Sequence, residues 1–144
     1  MSFSNVVVAD ELVAVLAGLS GMGVAQVGAP ESFGPKVGSY VTLGGIQSQR
    51  VVSAVVERDT RFFCMFAYRV DEAEATAETT LMGLVDGFMD ALNADLTLGG
   101  VARSLEISSS TADEPEYQLR AGREYREYPV VVTVKQRDSY AVNP

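Results

Sequence analysis

Thr60-Arg-Phe-Phe-Cys-Met-Phe-Ala-Tyr-Arg-Val70 is the stretch on which the reading of the fold turns. Its length suits a β-strand, and successive strand side chains point to opposite faces. One face collects Phe62, Cys64, Phe66, Tyr68 and Val70, and the other collects Arg61, Phe63, Met65, Ala67 and Arg69. The first is apolar throughout and reads as a core face. The second is apolar only in its middle, with an arginine at each end, which suits contact with another surface better than permanent burial. Two coverings are open for Phe63 and Met65: a neighbouring subunit, or a loop of the same chain between Gly28 and Gly38.

Outward from this strand the chain divides into helix, loop and further strands. Upstream, Ser4 or Asn5 is placed to cap a first helix reaching about Leu19. Its apolar stripe is Val8, Leu12, Val15, Leu16 and Leu19 at three- and four-residue spacing. Residues Gly21 to Gly38 hold five glycines and two prolines in eighteen positions and read as a long loop. Strands are expected near Tyr40 to Leu43 and Gln49 to Arg58, with Glu57 to Arg61 forming a tight polar hairpin before the central strand.

Downstream, Asp71 opens a second helix that runs to about Asn93 or Ala94. Its core stripe is Ala77, Leu81, Leu84, Val85, Phe88 and Leu92. A strand near Arg103 to Ser109 follows, then a polar loop. A final strand pair spans Tyr117 to Ala121 and Tyr125 to Gln136, turning at Gly122. The residues from 135 to 144 read as an exposed tail. The whole is expected to be one α+β domain over residues 1–144, with two helices on one face of a mainly antiparallel, mixed sheet.

Composition narrows the function classes. The chain has 144 residues with 47% hydrophobic and 21% charged positions, the balance of a globular domain able to build a core without disulfides or metals. No run approaches the roughly 18 apolar residues of a membrane span. Met1 to Asn5 lacks the basic start of a secretory signal, which points to a protein made and used in the cytosol. The lone cysteine, Cys64, sits on the core face and reads as a small buried hydrophobe. Eleven basic against nineteen acidic residues leave a net charge of −8, which opposes wrapping around nucleic acid.

Catalysis has little to build on. Histidine is absent, removing the commonest general base and metal ligand. Glu114 and Glu116 lie in a polar loop with nothing evident to shift their pKa values. Ser108-Ser-Ser-Thr111 has no base to activate it. Gly44-Gly45 lacks the lysine and spacing of a phosphate cradle. The expectation is a protein with no cofactor, no bound metal and no enzymatic activity.

The second helix carries two surface features. Gly83, Gly87 and Ala91 recur every four residues. A glycine inside a helix costs about 1 kcal/mol relative to alanine, so this strip reads either as close packing against the first helix or a neighbouring subunit, or as an exposed face whose glycines matter little. Between Asp71 and Ala102 there are seven acids and no Lys or Arg, and Asp86 and Asp90 fall opposite the apolar stripe. That acidic face is read as solvated, with a basic partner as the alternative.

Taken in order, the strand Thr60 to Asp71, the acidic helix ending Leu92-Asn-Ala-Asp-Leu-Thr-Leu-Gly-Gly100, then Asp113-Glu-Pro-Glu-Tyr117 and Glu124-Tyr-Arg-Glu-Tyr-Pro-Val130 resemble the tail terminator (tail completion) proteins of long-tailed bacteriophages. The resemblance covers nearly the whole chain in the order of its elements. It implies six copies in a ring at the head-proximal end of the tail tube, ending tube growth and joining the tail to the head connector. Its expected partners are further copies of itself, the tail tube protein and the head-closure or connector protein, with DNA passing through the lumen unbound. The expected location is the neck of the virion after assembly in the host cytoplasm. The contact surface would comprise Arg61, Phe63, Met65 and Arg69, with the Gly83, Gly87 and Ala91 strip. Alternative readings are another neck ring, such as a head-closure or connector-adaptor protein, or a cytosolic small-ligand binding domain.

Overall fold

The computed structural model describes residues 3–70, 74–109 and 115–139. In chain order the elements are α1 (Asn5–Ala17), β1 (Ala25–Val27), β2 (Gly38–Val52), β3 (Val55–Arg69), α2 (Glu74–Ala94), β4 (Ser104–Ser109), β5 (Glu116–Arg120) and β6 (Arg123–Ser139). The six strands form one mixed sheet in the order β1-β2-β3-β6-β4, with β5 also paired to β6. Among the described residues only the β1–β2 pair is parallel.

Both helices lie on one face of this sheet. Ser4 caps α1 by accepting a hydrogen bond from the Val7 N–H at 3.3 Å, which satisfies one of the orphan donors of the first turn. The helix then buries Val8, Ala9, Leu12 and Leu16. It ends at Ala17, two residues short of the expected Leu19, which still packs against the core as a half-buried side chain. From α2 come Leu81, Leu84, Val85, Phe88 and Leu92, with Ala77 partly buried beside them. These meet Phe62, Cys64, Phe66 and Tyr68 of β3 and Val130, Val132 and Val134 of β6 in a single core, with Phe66 and Phe88 in edge-to-face contact. Burial pushes the Cys64 thiol far above its ordinary pKa, so it stays a neutral apolar filler.

Four expected boundaries change. First, the β2–β3 turn is at Ser53-Ala54, and Glu57 to Arg61 is mid-strand instead of a hairpin tip. The polar run is held as strand by its neighbours: Glu57 accepts from Arg103 at 2.9 Å and also pairs with Arg137, while Lys135 lies 3.8 Å from Asp59. Cross-strand charge pairs of this kind support a sheet as apolar pairs do.

Second, the two strands expected near Tyr40 to Leu43 and Gln49 to Arg58 are replaced by one fifteen-residue strand, β2, and the start of β3. A shift of register at Gly44-Gly45 lets β2 continue through the glycines as a bulge. Third, the Gly21 to Gly38 segment is not all loop, since β1 pairs with Ser39 to Val41. Its flanks are tied down by Gly23 N–H to the Val37 carbonyl at 2.9 Å and Ser39 N–H to the Val24 carbonyl at 2.7 Å.

Fourth, the exposed tail does not begin at Lys135, because β6 stays paired to β3 as far as Ser139, opposite Val55. The turn before β6 falls at Ala121 and Gly122, where φ is 50° and 76°, the left-handed pair that a two-residue hairpin requires. The capping role of Asp71 and the pairing of Glu114 lie outside the described residues, as does most of the polar loop after β4.

Candidate assembly face

Neither helix covers the second face of the sheet. Pairing across the strands sets Phe63 beside Val131 and Met65 beside Pro129, and directly paired residues share a face. All four side chains are half-buried. They form an apolar strip in the middle of an open sheet face, continued by Thr42 opposite Phe63. Pro129 and Val131 belong to this strip as well, beyond the contact residues expected from sequence. The alternation from Tyr125 to Lys135 carries the necessary signal, but the register that sets it beside β3 is not visible in sequence.

One end of the strip is closed by the chain itself. Phe33, from the segment after β1, is buried with Tyr40, Ala67 and Tyr125, and Met65 packs against this cluster. The Phe33 ring lies 5.9 Å from Tyr40 in a stacked arrangement and 5.2 Å from Tyr125 edge-on. A loop of the same chain therefore covers Ala67 and one side of Met65. Phe63 instead lies against Gly44: a Cβ there would fall 2.6 Å from Phe63 Cε2 and 2.9 Å from the Arg61 carbonyl oxygen. Gly44 is thus what lets the Phe63 ring approach the bulge so closely.

Beside Phe33 is a buried polar group. Glu127, 2% exposed, accepts from the Tyr40 hydroxyl at 2.7 Å and from Arg120 Nε at 3.1 Å, while Arg120 Nη2 donates to the Tyr40 oxygen at 2.8 Å. Desolvation, then the Glu127 carboxylate, holds the Tyr40 hydroxyl well above its ordinary pKa. On the helix side, Arg126 lies 3.3 Å from Glu78, which also accepts from Tyr68. Arg120 and Arg126 are therefore engaged by carboxylates and do not make a basic surface with Arg123.

The remaining expected contact residues fall in three places. Arg61 and Arg69 flank the strip, Arg61 exposed and Arg69 half-buried. On α2, Gly87 faces the turn that follows α1, where a Cβ would meet Leu19 Cδ2 at 3.5 Å, while nothing lies within 4 Å of the same position at Gly83. The structure thus places Gly87 against Leu19, just past the end of α1, and Gly83 in the open, while Ala91 is half-buried. Asp86 and Asp90 are exposed.

A separate apolar groove of about 510 Å³ opens at the edge of the helix face, between Val6 and Ala9 of α1, Val27 of β1, and Val41, Leu43 and Phe62 of the sheet. Among the described residues no group of three His, Cys, Asp or Glu side chains is placed to hold a metal ion. No helix among them is long and apolar enough to cross a membrane. No protein-family model and no curated protein matches this chain.

Proposed function

We propose that this chain is a non-catalytic structural subunit of a ring, the tail terminator of a long-tailed bacteriophage. In that role it stops tail tube growth and joins the tube to the head connector. The observation that carries the proposal is the strip Phe63, Met65, Pro129 and Val131 on the sheet face opposite α1 and α2. A contiguous apolar strip left partly open to water marks an interaction surface, and a ring requires each copy to offer such a surface to its neighbours.

Charge supports the same reading. Each copy carries −8, and with Arg120 and Arg126 engaged internally the ring presents an acidic conduit through which phosphate slides without adhering. The test is tail assembly in extracts lacking the protein. Tubes of uncontrolled length that become uniform and head-competent on adding purified protein support termination. Tubes of normal length that fail only to join heads would instead make it a head-closure or connector-adaptor ring.

A further inference from the structure

We infer that copies of this chain join edge to edge, the outer edge of β2 on one copy forming an antiparallel ladder with the outer edge of β4 on the next. This deepens the ring reading above and rests on it. Beyond Val41, where β1 ends, β2 pairs with no other strand on its outer side among the described residues, and β4 pairs only with β6. Unpaired edges of this kind are templates for another strand. From Thr42 to Gln49 the β2 edge contains no charge and no proline, and the Gly44-Gly45 bulge is the one irregularity a partner strand has to follow there.

Direction, level and side chemistry all match between the two edges. Strands β2, β3, β6 and β4 alternate in direction, so a copy displaced sideways brings its β4 antiparallel to β2 without inverting. Every copy then keeps one orientation, as cyclic closure requires. One row across the sheet runs Leu43, Phe62, Val132, Ile107, and the next runs Ile46, Thr60, Val134, Leu105. Leu43 and Ile46 on one edge therefore stand level with Ile107 and Leu105 on the other, all four on the helix face.

Leu43 and Ile46 are 52% and 44% exposed, and Leu43 borders the apolar groove beside Val6 and Val27. An incoming Ile107 fills that groove. Between these rows lies Arg61, Thr133, Glu106, on the opposite face. Arg61 reaches over the bulge toward the β2 edge, its Nη2 4.0 Å from a Cβ position at Gly45, and it makes no ion pair among the described residues. Glu106 on the β4 side pairs with Lys135 at 3.1 Å and keeps 68% of its side chain exposed, open to a second cation. The next copy's Glu106 thus arrives at the level of an unpaired guanidinium.

Disulfide trapping tests this in the full-length protein, where the native Cys64 is fully buried. Leu43→Cys and Ile107→Cys proteins, mixed under mild oxidation, should give a 43–107 linked dimer, and the double variant should give a ladder ending in a closed ring. A Leu119→Cys partner, exposed on β5, serves as the background. In parallel, Arg61→Glu and Glu106→Arg should each weaken assembly about tenfold and restore it when combined. If the protein assembles but 43–107 linkage stays at background, or 43–43 linkage dominates, the β2–β4 joint is wrong while the ring survives. A protein monomeric even with tail tubes overturns both.

Discussion

Met65 and Phe66 are adjacent in sequence and stand on opposite faces of β3, half-buried and fully buried respectively. A charge placed at each position therefore reports a different environment. Met65→Glu keeps its carboxylate hydrated in the monomer and should cost no more than about 1–2 kcal/mol, while abolishing assembly by forcing an unpaired charge into the contact that buries the β3–β6 strip. Phe66→Glu puts the same charge into the core against Phe88 and should leave no cooperative thermal transition. Circular dichroism melts with a tail-assembly assay separate the two. Equal unfolding by both variants would make Met65's face internal. Gly44 offers a second residue-scale test. Gly44→Ala meets both the Phe63 ring and the Arg61 carbonyl, and because backbone cannot yield cheaply it should lower stability by about 1–3 kcal/mol in urea titration. The two-faced character of residues 60–70 was legible from alternation alone. The role of Phe33 was not, because a single aromatic in a Gly/Pro-rich segment carries no period that shows where it packs.

At the scale of elements, turns and caps carry the sharper expectations. Ala121 holds φ at 50° ahead of Gly122, a conformation that costs an ordinary L-residue about 1 kcal/mol and that asparagine tolerates better. Ala121→Asn should raise the urea midpoint at unchanged slope, a gain of roughly 0.5–1 kcal/mol. After α2, Asp95 accepts hydrogen bonds from the Gly99 N–H at 2.8 Å and the Thr97 hydroxyl at 2.9 Å. These bonds, that of Gly99 first, lower its pKa below the ordinary 3.8. A carboxylate depressed in the folded state contributes stability that is complete above its unfolded pKa and is lost as pH falls through the folded value. The melting-temperature gap between the wild type and Asp95→Asn should therefore be constant above about pH 5 and close progressively below about pH 4. A gap that persists unchanged at lower pH would contradict the assignment. Helix stripes were readable because their period is long and apolar. The β2–β3 turn was not, since Ser53-Ala54 contains no glycine, proline or asparagine, whereas Glu57 to Arg61 looks like a solvated tip until Arg103, Lys135 and Arg137 are brought beside it.

For the whole molecule, the two-helix, one-sheet architecture followed from the order of periodic segments. The parallel β1 and the full length of β6 did not, because β1 is three residues long and the end of β6 is polar, stabilised by partners distant in sequence. A net charge of −8 and arginines engaged by Glu127 and Glu78 lead to the expectation of no retardation of duplex DNA at physiological salt. Binding that weakens steeply with added salt would reveal a basic surface on the assembled ring. Light scattering on purified protein, alone at high concentration and then with its own tail tubes, tests most directly the role of the β3–β6 strip in association. A discrete ring species above the 15.4 kDa monomer is expected, formed alone or on the tubes and lost in Met65→Glu. A protein that remains a 15.4 kDa monomer under both conditions would contradict that role.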